Sequence, residues 1–99
     1  MKLVIKNSDA KNKRLVAIFT DKGKSKKVNF GLKNPKIGTY IDTGDTVARK
    51  NYIKRHEVNE KKFYNDPHRA ATLSRFILWG DSKSLKQNIE LYKNKFNLS

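Results

Sequence analysis

Short apolar runs set in polar sequence fill the first thirty residues. "KLVIK" (Lys2 to Lys6) fits a short strand. "NSDAKNK" (Asn7 to Lys13) reads as a loop, because Asn, Ser and Asp side chains bond their own backbone. In "RLVAIFT" (Arg14 to Thr20) the period of two puts Leu15, Ala17 and Phe19 on one face and Val16 and Ile18 on the other. An apolar residue on both faces implies a strand covered on both sides, wholly or in part. "DKGK" supplies a turn in which Gly23 takes a positive φ. "SKKVNFG" then returns as a strand with Val28 and Phe30 on one face. Lys24 and Lys26 share that parity beyond the edge of the core, while Lys27 and Asn29 point the other way.

The period then lengthens. "LKNPKIGTYIDTGD" (Leu32 to Asp45) holds Pro35, Gly38 and Gly44 and reads as a connector. From Thr43 or Asp45 onward, Ala48, Tyr52 and His56 form an i, i+4, i+8 row with Ile53 beside it, as in a helix. In "NDPHRAATLSRFILWG", Asp66 is an N-cap residue, Pro67 suits the first helical position and Gly80 is a stop. Ala70, Leu73 and Ile77 recur at helical spacing with Phe76 adjoining. This segment is apolar around much of its circumference, which places it centrally. Ser82 or Ser84 caps a last helix with the stripe Leu85, Ile89, Tyr92 and Phe96. The expected architecture is α+β: an N-terminal antiparallel hairpin or small sheet of two or three strands, packed against three C-terminal α-helices. One domain spans residues 1–99, with 1–12 an N-terminal extension or a short extra strand.

Composition adds a partner to this scaffold. Ninety-nine residues, 36% apolar and including ten aromatics, suffice for a small core and leave little interior for a deep cavity. Eighteen lysines and five arginines oppose nine acids, a net charge of +14. Folding such a chain works against its own repulsion, so a polyanion is the economical partner. Phosphates release condensed counterions when Lys and Arg replace them, which makes nucleic acid the first candidate and an anionic membrane surface the second. There is no cysteine, hence no disulfide, thiolate or Cys-based zinc chemistry. The apolar run near the N-terminus is too short for a signal peptide's core, and no stretch is long enough to span a membrane. A soluble, intracellular protein is expected.

Candidate contacts follow from the charge. Lys22, Lys24, Lys26 and Lys27 crowd the turn and the strand after it, and lysines there supply affinity with little sequence information. Arg49, Lys50, Lys54 and Arg55 make a basic stripe on one helix, flanked by Asp42, Asp45, Glu57 and Glu60, which can neutralise part of it. Arg69 and Arg75 complete the set; Arg75 is expected to be partly covered, bonding backbone carbonyls, an acid or a phosphate. His56, His68, Glu60 and Asp66 invite a metal-nuclease reading, but two imidazoles and scattered acids fall short of a ligand set. No P-loop, dinucleotide fingerprint or nucleophile elbow is present. The chain is therefore read as a non-enzyme with no cofactor and no metal. Trp79 closes the apolar run "FILW" and is expected in the core, leaving Tyr40, Tyr52 and Phe63 as base stackers.

The segments Tyr52-Ile53, Arg55-His56, Glu60, Asp66-Pro67, "LSRFILWG" (Leu73 to Gly80) and Tyr92-Lys93, Lys95-Phe96 follow one another in a recognisable order. In this the chain resembles a small, poorly characterised protein family encoded by large double-stranded DNA viruses of protists. The likeness covers most of residues 14–96, hairpin included, and "LSRFILWG" is its most specific part. Where that family often carries Trp before the Asp-Pro, this chain has Phe63-Tyr64, and "MKLVIKNSDAK" is additional. The resemblance implies a viral source and a shared fold. It carries over no catalytic or binding residue, since the family has no established activity. It does imply a polyanion close at hand, the viral genome, and a location in the virion or the infected cell.

The leading expectation is a DNA-binding protein without sequence preference that compacts or packages double-stranded DNA. The alternatives are an RNA-binding module and a virion structural protein that meets acidic partners. Exposed strand edges also allow a homodimer.

Overall fold

Three strands lie in sequence order in one antiparallel sheet in the computed structural model of the protein: β1 (Lys2–Asn7), β2 (Lys13–Asp21) and β3 (Lys24–Leu32). It describes residues 1–33 and 38–99. The register pairs Leu3 with Phe19, Ile5 with Ala17, Ala17 with Val28 and Leu15 with Phe30, so the period-two face of β2 is the core face. The opposite face is only half covered. Val16 is 6% exposed, whereas Val4 is 42% exposed. Val16 shares a hollow with Ala10 of the β1–β2 loop, and Ser8 Oγ of that loop bonds Asn29 Oδ1 of β3. The segment read as an extension or an extra strand is thus β1, and its edge is met by the chain's last residues. Leu3 N–H donates to the Ser99 carbonyl and Ser99 N–H to the Met1 carbonyl, both at 3.0 Å.

The hairpin turn between Asp21 and Lys24 has two residues, and both are left-handed: Lys22 at φ 51° and Gly23 at φ 81°. This is the type I′ geometry, whose twist matches that of the flanking strands. At the far end of β3, Gly31 takes φ 79°, and a Cβ there would stand 2.8 Å from Leu78 Cδ1. The positive φ favours glycine here, and a larger residue would also have to push the end of the Leu78 side chain aside.

A short helix, α1 (Tyr40–Thr43), occupies part of the stretch read as a connector; the Pro35 part of that reading lies outside the described residues. Asp42 organises α1 by accepting from Thr39 N–H and Thr39 Oγ1, both at 2.8 Å. The next helix, α2 (Thr46–Glu60), starts where Asp45 Oδ1 accepts the N–H groups of Val47 and Ala48 at 3.0 Å, as expected of an N-cap. One 3₁₀ turn, Lys61–Phe63, continues it. Of the row Ala48, Tyr52 and His56, only Tyr52 is buried, at 9% exposure.

The central segment departs from expectation at its start. Asp66 Oδ1 accepts from His68 N–H at 2.9 Å and so closes a turn of its own, and α3 (Ala70–Leu73) begins after Arg69. Ala70, counted in the apolar row, is exposed. α3 passes directly into one π-helical turn, Ser74–Leu78, in which Trp79 N–H donates to the Ser74 carbonyl at 3.0 Å. The wider turn brings neighbouring Ile77 and Leu78 into the core together, at 0% and 2% exposure. Gly80 ends the segment for a steric reason: a Cβ would collide with the Phe76 carbonyl and the Asn88 side chain. The last helix, α4 (Leu85–Phe96), is capped by Ser84, which accepts from Gln87 N–H at 3.2 Å. Its stripe Leu85, Ile89, Tyr92 and Phe96 packs on the core as read.

The fold is therefore α+β, with helices against one face of the sheet. Leu3, Leu15, Ala17, Phe19 and Phe30 meet Leu73, Ile77, Leu78 and Tyr92 in a single core. Among the described residues no helix is long and apolar enough to cross a membrane.

Candidate nucleic-acid interface

Three of the five arginines, Arg14, Arg49 and Arg75, are partly buried and bond within the fold. Arg14 forks onto Asp42 with two bonds of 2.7 Å and reaches Thr39 Oγ1 at 3.3 Å. The Arg14 guanidinium, helped by Thr39, holds the Asp42 carboxyl well below the usual carboxylate range. Arg49, expected on the basic stripe, turns the other way. Its Nε donates to the carbonyls of Gly80 at 2.9 Å and Trp79 at 3.3 Å, and Nη2 pairs with Asp81 at 2.7 Å. Arg75 Nη1 donates to the same Trp79 carbonyl at 3.0 Å, and burial pulls its guanidinium below its ordinary value. The end of a helix leaves carbonyls without partners at the negative end of its dipole, and two arginines fill that need here. Arg49 and Arg75, both read as DNA contacts, are thus engaged with the fold's own carbonyls, Arg75 as its partial cover led one to expect.

The lysines sort outward. Among the described residues every lysine except Lys93 is exposed. Lys22, Lys24, Lys26, Lys27, Lys50, Lys54 and Arg55 have no carboxylate within ion-pair distance among the described residues. Three of the four acids expected to neutralise the stripe are engaged elsewhere: Asp42 with Arg14, Asp45 at the start of α2, and Glu60 with His56 at 3.2 Å. Lys61 and Lys62 extend the exposed cations of α2 beyond its end. Arg69 is half engaged, 3.4 Å from Asp66 and stacked over the Phe63 ring at 4.7 Å.

These cations form two groups, not one. Lys24 and Lys26 lie on the helix side of the sheet, around a hollow with Phe19 and His68. Lys27 lies on the open face and lines a hollow with Lys6. Arg55 instead borders a groove that reaches Gly31 and Leu32 at the opposite end of β3. Seven strand steps separate Lys24 from Gly31 and four separate Lys27 from it, about 23 Å and about 13 Å along the strand. A small ligand cannot touch both, but a polymer can.

Beside Arg55 three rings form a column. Tyr52 stacks on His56 at 4.1 Å and on Trp79 at 4.2 Å, with interplanar angles of 25° and 6°. Burial pushes the Tyr52 hydroxyl far above its ordinary value. Trp79, read as core, is only partly buried and lines the groove. The i, i+4 spacing of Tyr52 and His56 was the visible half of this column; Trp79 joins it from another element. His68 packs edge-on against Phe19 at 4.4 Å. Among the described residues no three of His, Cys, Asp and Glu are grouped to hold a metal ion.

Residues 3–56 match a family of unknown function, DUF5754. The match covers the sheet, α1 and most of α2, and stops before "LSRFILWG". No curated protein and no solved structure matches the chain.

Proposed function

The chain belongs to this family of unknown function, and we propose that it is a DNA-binding protein without sequence preference that grips the phosphate backbone of double-stranded DNA. The observation that carries this reading is the sorting of charge. Six of the nine carboxylates pair or cap within the fold, while lysines stand exposed on the hairpin and on α2 with no carboxylate at ion-pair distance among the described residues. Lysine is a point charge on a flexible stem, suited to backbone neutralisation and poor at bidentate base reading. Two of the five arginines, the better base readers, are occupied at the end of the central helix. The resemblance to proteins of large DNA viruses extends the proposal to compaction or packaging of a viral genome, in the virion or the infected cell.

A gel-shift series in rising NaCl tests it. Affinity is expected to fall steeply with salt and to vary little among unrelated duplexes. The variants Lys24→Glu/Lys26→Glu/Lys27→Glu and Lys50→Glu/Lys54→Glu/Arg55→Glu should each weaken binding. The log–log salt slope should shrink by about 0.9 for every phosphate that is no longer neutralised. A flat salt dependence, or no shift at low salt, removes the proposal.

A further inference from the structure

Beyond backbone gripping, the groove next to Arg55 has the makings of a base site. It encloses about 370 Å³ and is lined, among the described residues, by Tyr52, His56 and Trp79, by Leu32 and Thr39, and by Arg55. That volume lies in the range of small-molecule sites. Part of its wall is the His56–Tyr52–Trp79 column, in which Tyr52 has a ring on each face, so that the outer faces of His56 and Trp79 are the ones left for a further ring. One charged group, Arg55, is exposed at the groove and has no carboxylate partner among the described residues. Lys54 is its exposed neighbour in sequence, and Lys50 lies one helical turn before Lys54. Leu32, 61% exposed, adds an apolar rim.

We infer that this groove takes an unpaired nucleobase of single-stranded DNA, which stacks on an outer ring of the aromatic column while Arg55 and Lys54 hold the adjoining phosphates. The inference rests on the nucleic-acid reading above and adds strand state to it. A duplex offers only its phosphates to the lysines, because its bases are stacked within the helix. A single strand offers phosphates and π faces together, and stacking of this kind tolerates any base. Lysines alone would not require an aromatic wall beside an unpaired arginine. With both present, an anionic polymer of flat rings is the complementary ligand.

Trp79 is the only tryptophan, so its emission reports on the groove directly. The purified protein would be titrated with a thymidine oligomer, with an abasic oligomer of equal length and backbone charge, and with a duplex. The thymidine oligomer should change Trp79 emission and bind about tenfold tighter than the abasic one, the usual worth of base stacking. The abasic oligomer and the duplex should leave the emission unchanged. His56→Ala, at a half-exposed position, should abolish the preference for bases while leaving abasic binding intact; circular dichroism checks its fold, and the emission experiment on the unaltered protein stands without it. Equal, salt-dependent binding of all three with constant emission overturns the base site and spares the backbone reading. No binding of any nucleic acid at low salt overturns both.

Discussion

Asn88 is fully buried in α4, and its side chain closes three backbone groups at once. Nδ2 donates to the carbonyls of Ile77 at 2.9 Å and Ser82 at 2.7 Å, and Oδ1 accepts from Ser82 N–H at 2.9 Å. It thus ties the end of the π turn to the start of α4. Asn88→Ala leaves those groups without partners and should lower stability on the order of 1–3 kcal/mol, read as a lower urea midpoint. Asp42 acts through charge. Its folded carboxyl is held below the unfolded value, so its contribution is complete above an unfolded pKa of about 4 and is lost as pH falls through the folded value. Asp66, lowered chiefly by the His68 N–H, works in the same sense. Thermal midpoints should therefore drop on acidification below about pH 4. Asp42→Asn should lower the midpoint at neutral pH and flatten that acid dependence.

At the level of elements, the β2–β3 hairpin contains a misfit that can be relieved. A type I′ turn needs two left-handed residues, and the first is Lys22 at φ 51°. A lysine there bears the steric cost of the left-handed region, which asparagine tolerates better. Lys22→Asn should raise stability by up to about 1 kcal/mol, measured by urea unfolding, although it removes one cation from the proposed DNA contact. Stability and binding would then move in opposite directions, which separates a structural from a binding role at the turn. The central helix shows the reverse case. Its π turn gives up regular α geometry, and the return is two adjacent core residues, Ile77 and Leu78, in one layer.

For the whole molecule, the net charge of +14 is the dominant fact. With five of the nine acids already paired within the fold, the exposed lysines repel one another across the surface. Screening that repulsion with NaCl should raise the thermal midpoint, and duplex DNA at low salt should raise it further, since a ligand at a hundredfold excess over its Kd adds about 2.7 kcal/mol. Differential scanning fluorimetry distinguishes the two additions. The longest dimension is 41 Å, so a protein lying lengthwise covers at most about 12 base pairs. Titration to saturation should show no larger site.

What the amino-acid order determined by itself was local. The strands of the hairpin follow from alternation, the stripe of α4 from helical spacing, and the Asp45 and Ser84 caps from side chains that reach only two or three residues ahead. The outward lysines belong here too, because an ammonium group without a partner stays in water wherever the chain goes. Other outcomes depended on which distant backbone or ring came near. Arg49 and Lys50 are neighbours with similar charge, yet one is drawn in by carbonyls thirty and thirty-one residues away and the other is left exposed. Trp79 reaches the Tyr52 ring only after α2 packs beside the π turn. The groove and its separation from the hairpin lysines are likewise products of packing. Periodicity reports which face a residue occupies, whereas the partner waiting on that face is set by the close approach of segments far apart in the chain.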